Sequence, residues 1–258
     1  MNQDANRIVN LFGVDICSIR FDEAVQTIFG WIDRRERSHF IVTPNVNHLI
    51  LFQENAAFRE AYDKASLVLA DGRYVILMSR LLGTPLPEPV NGSDLVPALM
   101  ESSAARGGLT VYLLGAMPGV AETARDKIHA RYPHVRVVGT YSPPPGFEDD
   151  PAELREIEER INSVSPDLLV IGVSPPRQEI WASRYAAKAG AAVSICAGAT
   201  IDFLAEVKPR APEWMQKSGL EWVFRALSEP RRLIPRYFSD GVALLRLLSR
   251  EVLGRRQR

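Results

Sequence analysis

Only two cysteines and four histidines occur in this chain of 258 residues, and no Asp-x-Asp pair occurs at all. Each shortage removes a class of chemistry. Cys17 and Cys196 lie far apart in apolar, strand-like surroundings, so they read as two reduced core thiols and not as a disulfide framework. His39, His48, His129 and His134 do not cluster at ligand spacing with cysteines or acids, so neither a bound metal nor a cofactor is expected. A Gly-x-x-x-x-Gly-Lys-Ser/Thr loop and a Gly-x-Ser-x-Gly elbow are both missing, which argues against a P-loop nucleotidase and an esterase. The Gly-x-Gly-x-x-Gly fingerprint is missing too. A nicotinamide cofactor is therefore disfavoured, while a single nucleotide diphosphate is still compatible with the chain. Residues 1–7 contain no apolar segment and no apolar run is long enough to span a bilayer, so neither secretion nor membrane spanning is expected.

What is present is ordinary globular composition, 46% hydrophobic and 24% charged, with 31 basic and 31 acidic residues. The balance is uneven along the chain. From Arg225 to Arg258 nine arginines face three acids, Glu229, Asp240 and Glu251, so this tail carries +6 and the preceding body −6. An acidic partner for the tail follows, either anionic lipid or phosphate, and nucleic acid is not expected.

Buried strand-like runs alternate with helix-like ones. His39–Thr43 precedes a helical pattern over His48–Tyr62, and Leu67–Ala70 precedes one over Tyr74–Leu82. Leu109–Leu114, Val135–Thr140, Asp167–Gly172 and Ala192–Ala197 repeat the theme, with helices over Val120–Arg131, Ala152–Val164 and Arg177–Ala189 between them. This is the pattern of an α/β fold, a mostly parallel sheet with helices on both faces. Leu11–Ile19 suggests a strand in a small separate N-terminal sheet, and Asp22 an N-cap for a helix reaching Arg35. The alternation ends near Arg210. Beyond it, a helix from Ala211 carries Trp222 and Leu227, Pro230 and Pro235 are expected to interrupt the chain, and Tyr237–Leu253 forms an amphipathic basic helix. Residues 1–210 are thus read as the core and 211–258 as a helical appendage. The final helix suits either plain terminal packing or a membrane-surface role.

Asp71 is the leading candidate for chemistry, because Ala65–Ala70 ends on it and strand carboxyl ends are where open α/β sheets bind ligands. It could equally cap the helix that follows. Upstream, Thr43-Pro-Asn45-Val-Asn47 follows another strand. Gly115 and Gly119 make a glycine-bearing turn whose backbone N–H groups can face an anion. After Pro175-Pro176, the Gln178 side chain could bond a sugar hydroxyl, and Glu179 reads more simply as a complement to the helix dipole. Gly83–Gly92, with three prolines and two glycines, is expected as a surface connection near the strand ends.

Taken together, Thr43-Pro-Asn45, Ala70-Asp71-Gly72, Val90-Asn-Gly92-Ser-Asp94, Leu113-Leu-Gly115 with Pro118-Gly119, Pro176-Arg-Gln178-Glu179 and Arg210-Ala-Pro-Glu-Trp214, with Gly219-Leu-Glu-Trp222 and Glu229-Pro-Arg231 beyond, resemble the WecG/TagA/CpsF family. The similarity runs from about residue 11 to about 236. It implies a Rossmann-like core and an inverting, metal-independent glycosyltransferase of bacterial envelope or exopolysaccharide synthesis. Such an enzyme moves a sugar from a UDP-sugar donor to a polyprenyl-diphosphate-linked acceptor at the inner, cytoplasmic face of the membrane. On the same resemblance Asp71 is the base, Thr43 and Asn45 contact the substrate and Gln178 is a pocket amide; Asn47, Gly92 and Gly115, set beside or within the same motifs, are expected as further substrate-binding residues. Arg225, Arg232 and Arg236 approach the donor diphosphate from an appendage lying on an anionic membrane surface. Whether copies of the chain form a homo-oligomer is left open. One departure stands out: the family's Glu-Arg-Val-x-Gly reads Glu88-Pro89-Val90-Asn91-Gly92 here, so an arginine is missing. It motivates a runner-up, a nucleotide- or lipid-binding protein of the same fold that has lost catalysis.

Overall fold

Alternate residues along each central strand bury themselves in two different cores, which is how one sheet comes to be covered on both sides. In the computed structural model, which describes residues 8–256, Ile41, Val111, Leu113, Val170 and Ile195 enter one core, while Val42, Tyr112, Leu114, Ile171 and Cys196 enter the other. Full burial of each such aliphatic side chain is worth about 1.5–3 kcal/mol, so these two layers dominate the fold's stability.

The strands are β1 (Ile8–Leu11), β2 (Val14–Cys17), β3 (His39–Val42), β4 (Leu67–Val68), β5 (Leu109–Gly115), β6 (Val135–Tyr141), β7 (Leu168–Gly172) and β8 (Val193–Cys196). β1 and β2 form the separate antiparallel hairpin. The other six make one sheet in the order β4-β3-β8-β7-β5-β6, and every pairing is parallel. The chain leaves β3 for the β4 edge and returns to β8 from the opposite half. The carboxyl ends of β3 and β8 therefore border a reversal of strand order, where such sheets open a crevice.

The helices are α1 (Phe21–Arg34), α2 (Val46–Glu54), α3 (Ala56–Asp63), α4 (Arg73–Leu81), α5 (Gly92–Ser102), α6 (Val120–Arg131), α7 (Pro151–Asn162), α8 (Arg177–Tyr185), α9 (Thr200–Leu204), α10 (Glu213–Ser218), α11 (Glu221–Ser228) and α12 (Pro230–Arg256). Four differ from expectation. α1 begins one residue before Asp22, with the Glu23 carboxylate accepting from the Arg20 N–H at 2.7 Å. The single helix expected over 48–62 is two, because Asn55 turns extended and its side chain accepts from the Phe58 N–H at 3.0 Å, starting α3 afresh. The helix from Ala211 is likewise split at Gly219, which takes φ +80. Pro230 and Pro235 do not interrupt α12: Pro230 occupies its first position, where no N–H bond is needed, and the helix continues through Pro235.

α12 lies against α2 and α11, with Leu233 buried and Leu244, Leu247 and Leu248 packed on the core. Its other side leaves Ile234, Phe238 and Leu245 exposed. Among the described residues no helix is long and apolar enough to cross a membrane.

Candidate active site

The backbone of β4 runs on past Val68 by pairing with the β3 end: Leu69 N–H bonds Val42 O at 2.9 Å and Asp71 N–H bonds Pro44 O at 2.9 Å. Asp71 is thereby delivered to the carboxyl edge of the sheet beside the Thr43–Asn47 turn. Gly72 follows at φ +90, a conformation open to glycine, and its N–H is received by the Asn91 side chain at 2.7 Å. Asn91 in turn donates to Asp94 at 2.7 Å, and Arg210 donates to the other Asp94 oxygen at 2.5 Å. Asp71 thus does not cap α4. The cap position belongs to Gly72, and the Asp71 carboxylate is left for other work.

Burial pushes the Asp71 carboxyl up to about 7, with Glu221 and Asp94 adding to the rise and Arg225 and Arg210 opposing it. A carboxyl in this range accepts a proton readily near neutral pH. Arg225 also lies over Phe203, its Cζ 6.0 Å from the ring centroid.

Thr43 is buried at the end of β3, its hydroxyl donating to Cys196 O at 3.3 Å. Gly92 opens α5 in the same corner, where an added Cβ would lie 3.3 Å from Ala197 Cα and 3.4 Å from Thr43 Oγ1. Asn45 caps α2, accepting from His48 N–H at 3.3 Å, and the Asn47 amide reaches Asp240 of α12 at 3.5 Å. Arg236 faces the same Asp240 at 3.7 Å. The Asn47–Asp240 contact joins α12 to the start of α2, while Arg236 pairs with Asp240 along α12 itself.

Other candidates are spent within the protein. Gln178 is buried, donating to Glu179 Oε1 at 2.6 Å and accepting from Gly198 N–H at 3.2 Å, so it shapes the β8–α9 turn from beneath. Arg232 pairs at 2.7 Å with Glu229, the residue just before its own helix. Gly115 sits at φ +117 where an added Cβ would be 2.6 Å from the Gly172 carbonyl carbon, so close approach of β5 and β7 demands glycine there.

A buried polar group under the crevice had no signal in the sequence beyond Glu179 itself. His48 Nδ1 and the Tyr62 hydroxyl are hydrogen-bonded at 2.8 Å, and His48 Nε2 lies 3.9 Å from Glu179 Oε1. Burial pushes His48 down to about 3, helped by the Arg236 charge, and pushes Glu179 up to about 7 against the Gln178 hydrogen bond. Glu179 is therefore a buried acid in the first turn of α8 whose proton affinity is raised well above the ordinary carboxylate range. Asn91, Asp94 and Arg210 also escaped a role in the sequence reading. The Asn91-x-x-Asp94 spacing at a helix start was the available sign.

The model of the glycosyl transferase WecG/TagA/CpsF family matches residues 9–258. The chain belongs to this family. As a WecG/TagA/CpsF protein it is a glycosyltransferase, and the crevice holding Asp71 is its candidate active site. Three Staphylococcus aureus proteins, from strains MW2, NCTC 8325 / PS 47 and COL, are similar to it: each is 28% identical over 232 residues, covering 87% of this chain and 88% of the relative. All three carry the name N-acetylglucosaminyldiphosphoundecaprenol N-acetyl-beta-D-mannosaminyltransferase.

Proposed function

We propose that this WecG/TagA/CpsF protein is an inverting, metal-independent transferase that moves a hexose-type sugar from a UDP-sugar to a polyprenyl-diphosphate-linked saccharide, in exopolysaccharide or other envelope-polysaccharide synthesis. The observation that carries the reading is Asp71, a carboxyl with a proton affinity near neutrality at the carboxyl edge of the sheet, beside a reversal of strand order. The similar Staphylococcus proteins, named for a diphosphoundecaprenol-linked acceptor, support the acceptor class.

In a single displacement the acceptor hydroxyl oxygen attacks the anomeric carbon from the side opposite the nucleotide, and Asp71 takes the hydroxyl proton. The bond from the anomeric carbon to the diphosphate oxygen breaks, and UDP leaves with the electron pair. Arg225, already within electrostatic reach of Asp71, stabilises the charge that grows on that oxygen, with Arg236 joining when the acceptor and membrane are in place. Arg232 serves the same end only if it exchanges Glu229 for phosphate. Thr43, Asn45, Asn47 and Gly92 shape the floor of the site, with Gln178 and Gly115 acting through the backbone they hold. Residues 211–258 form the appendage that carries the basic charge, and they rest on the anionic inner face of the membrane.

The test is UDP release from a panel of UDP-sugars by the purified full chain, with and without a polyprenyl-diphosphate-linked saccharide. Acceptor-dependent UDP release that survives EDTA is expected. UDP binding without release under any pairing would instead favour the reading that Pro89 motivates, a nucleotide- or lipid-binding protein that has lost catalysis. Release that EDTA abolishes and magnesium restores would overturn metal independence.

A further inference from the structure

A groove beside the crevice sets cationic side chains next to an exposed leucine. It lies between α4 and the loop holding Pro87, Glu88 and Pro89, has a volume of about 470 Å³, and is also lined by Ser218 and Gly219. The loop wall is fixed, because the Glu88 carboxylate accepts from the Phe21 N–H at 2.8 Å and lies 4.0 Å from Arg20. That engagement also keeps the Glu88 charge occupied at its outer edge.

α4 supplies the other wall. It begins two residues after Asp71, and its outward side presents Arg73, Leu77, Arg80 and Leu81 at helical-turn spacing. Leu77 is 46% exposed and Leu81 65%, with Tyr74 beside them at 40% and bonded through its hydroxyl to Trp222 Nε1 at 2.9 Å. Among the described residues neither the Arg73 nor the Arg80 guanidinium has an ion-pair or hydrogen-bond partner. Two uncompensated cations interleaved with exposed leucines match an amphiphile, one whose anionic group and hydrocarbon adjoin. Arg73 and Arg80 are seven residues apart, about 10 Å along the axis, a gap that two long side chains can close on one diphosphate.

We propose that this groove seats the lipid end of the acceptor: Arg73 and Arg80 hold its diphosphate, Leu77 in the groove receives the first isoprene unit, and Leu81, one turn further along α4 and outside the groove's lining, receives the next. The assignment rests on the acceptor class given above. It sets the saccharide at Asp71 and leads the hydrocarbon away along α4. A pinned, concave groove fits one chain, whereas a bilayer surface favours a flat or convex face.

Two acceptors with the same diphosphate-linked saccharide, one on a long polyprenol and one on a geranyl tail, test this with the full chain. Arg80→Ala should raise KM for both acceptors about 10- to 100-fold and leave UDP affinity unchanged. Leu77→Ser with Leu81→Ser, both exposed positions that fold without them, should raise KM for the long-tailed acceptor alone. Unchanged acceptor KM in these variants overturns the proposal. So does a loss of UDP affinity in Arg80→Ala, which would assign the guanidinium to the donor. Loss of binding to acceptor-free anionic vesicles by the double variant, with KM unchanged, overturns it as well and turns this face to the bilayer. If the unaltered protein transfers sugar to neither acceptor, titration with farnesyl diphosphate decides the groove separately: binding that Arg80→Ala weakens upholds it while the transfer reading falls, and no binding ends it.

Discussion

Arg210 donates to Asp94 at 2.5 Å across 116 residues of sequence, tying the start of α5 to the segment just before α10. Both charges act on Asp71, in opposite directions. Arg210→Ala removes a cation and frees an anion, so both changes push the Asp71 carboxyl higher. The acid limb of the pH–kcat/KM profile should move to higher pH, and the rate at pH 7 should fall roughly 2- to 10-fold. A limb that stays in place would detach this pair from Asp71.

Asp71→Asn keeps the shape of the carboxyl and removes its capacity to take a proton. Turnover should fall about 10²–10⁴-fold with UDP affinity little changed. Isothermal titration with UDP beside a radiolabelled transfer assay separates the two effects, and near-normal turnover would exclude Asp71 as the base.

Asp71 and Glu179 are both raised to about 7 in the folded protein, above their unfolded values. The native state therefore holds more protons than the unfolded chain between the ordinary carboxylate range and about pH 7. Their contribution to stability is complete below that range and is lost as pH rises through 7. Tm should decline across this window, and Glu179→Gln should flatten the decline while keeping an acceptor for Gln178. Glu179→Ala, which leaves a void and strands Gln178, should cost about 2–4 kcal/mol in urea unfolding at pH 6.

Gly115→Ala forces a Cβ against the Gly172 backbone and a side chain into φ +117. A loss of about 2–4 kcal/mol or failure to fold is expected, read by chemical denaturation. Wild-type stability combined with lost UDP binding would restore the anion-facing role that the glycine turn suggested in the sequence.

Deleting the chain from Ser228 onward removes eight of the tail's nine arginines and uncovers the core surface beneath Leu244, Leu247 and Leu248. The truncated protein should fold with lowered Tm and bind UDP weakly. Transfer and sedimentation with anionic vesicles should both be lost, and vesicle binding by the full chain should weaken with added salt. Normal transfer by the truncated form would make α12 an ordinary packed helix.

The alternation of apolar runs was enough to predict the sheet and most of its helices, because a strand buried on both faces has few rivals in sequence. Where prediction failed, a single side chain decided the outcome: Asn55 restarting a helix, Pro230 sitting harmlessly at a first turn. The place of Asp71 at the carboxyl edge of the sheet was legible from its position after a buried strand. Its partners were not, since Asn91, Asp94 and Arg210 meet only once distant segments converge on one sheet edge. Gln178 shows the reverse, a conspicuous residue whose hydrogen bonds turn inward. The His48–Tyr62–Glu179 group depends wholly on tertiary placement.

β4, the strand that delivers Asp71, is two residues long and lies at the border of the sheet. So short a border strand offers almost no free backbone ladder, and it cannot template the addition of another chain. The Asp71 carboxyl can stand at the rim without inviting assembly there. The opposite border, β6, is seven residues long, so any strand-by-strand ribbon of misassembled copies would nucleate on the side remote from Asp71.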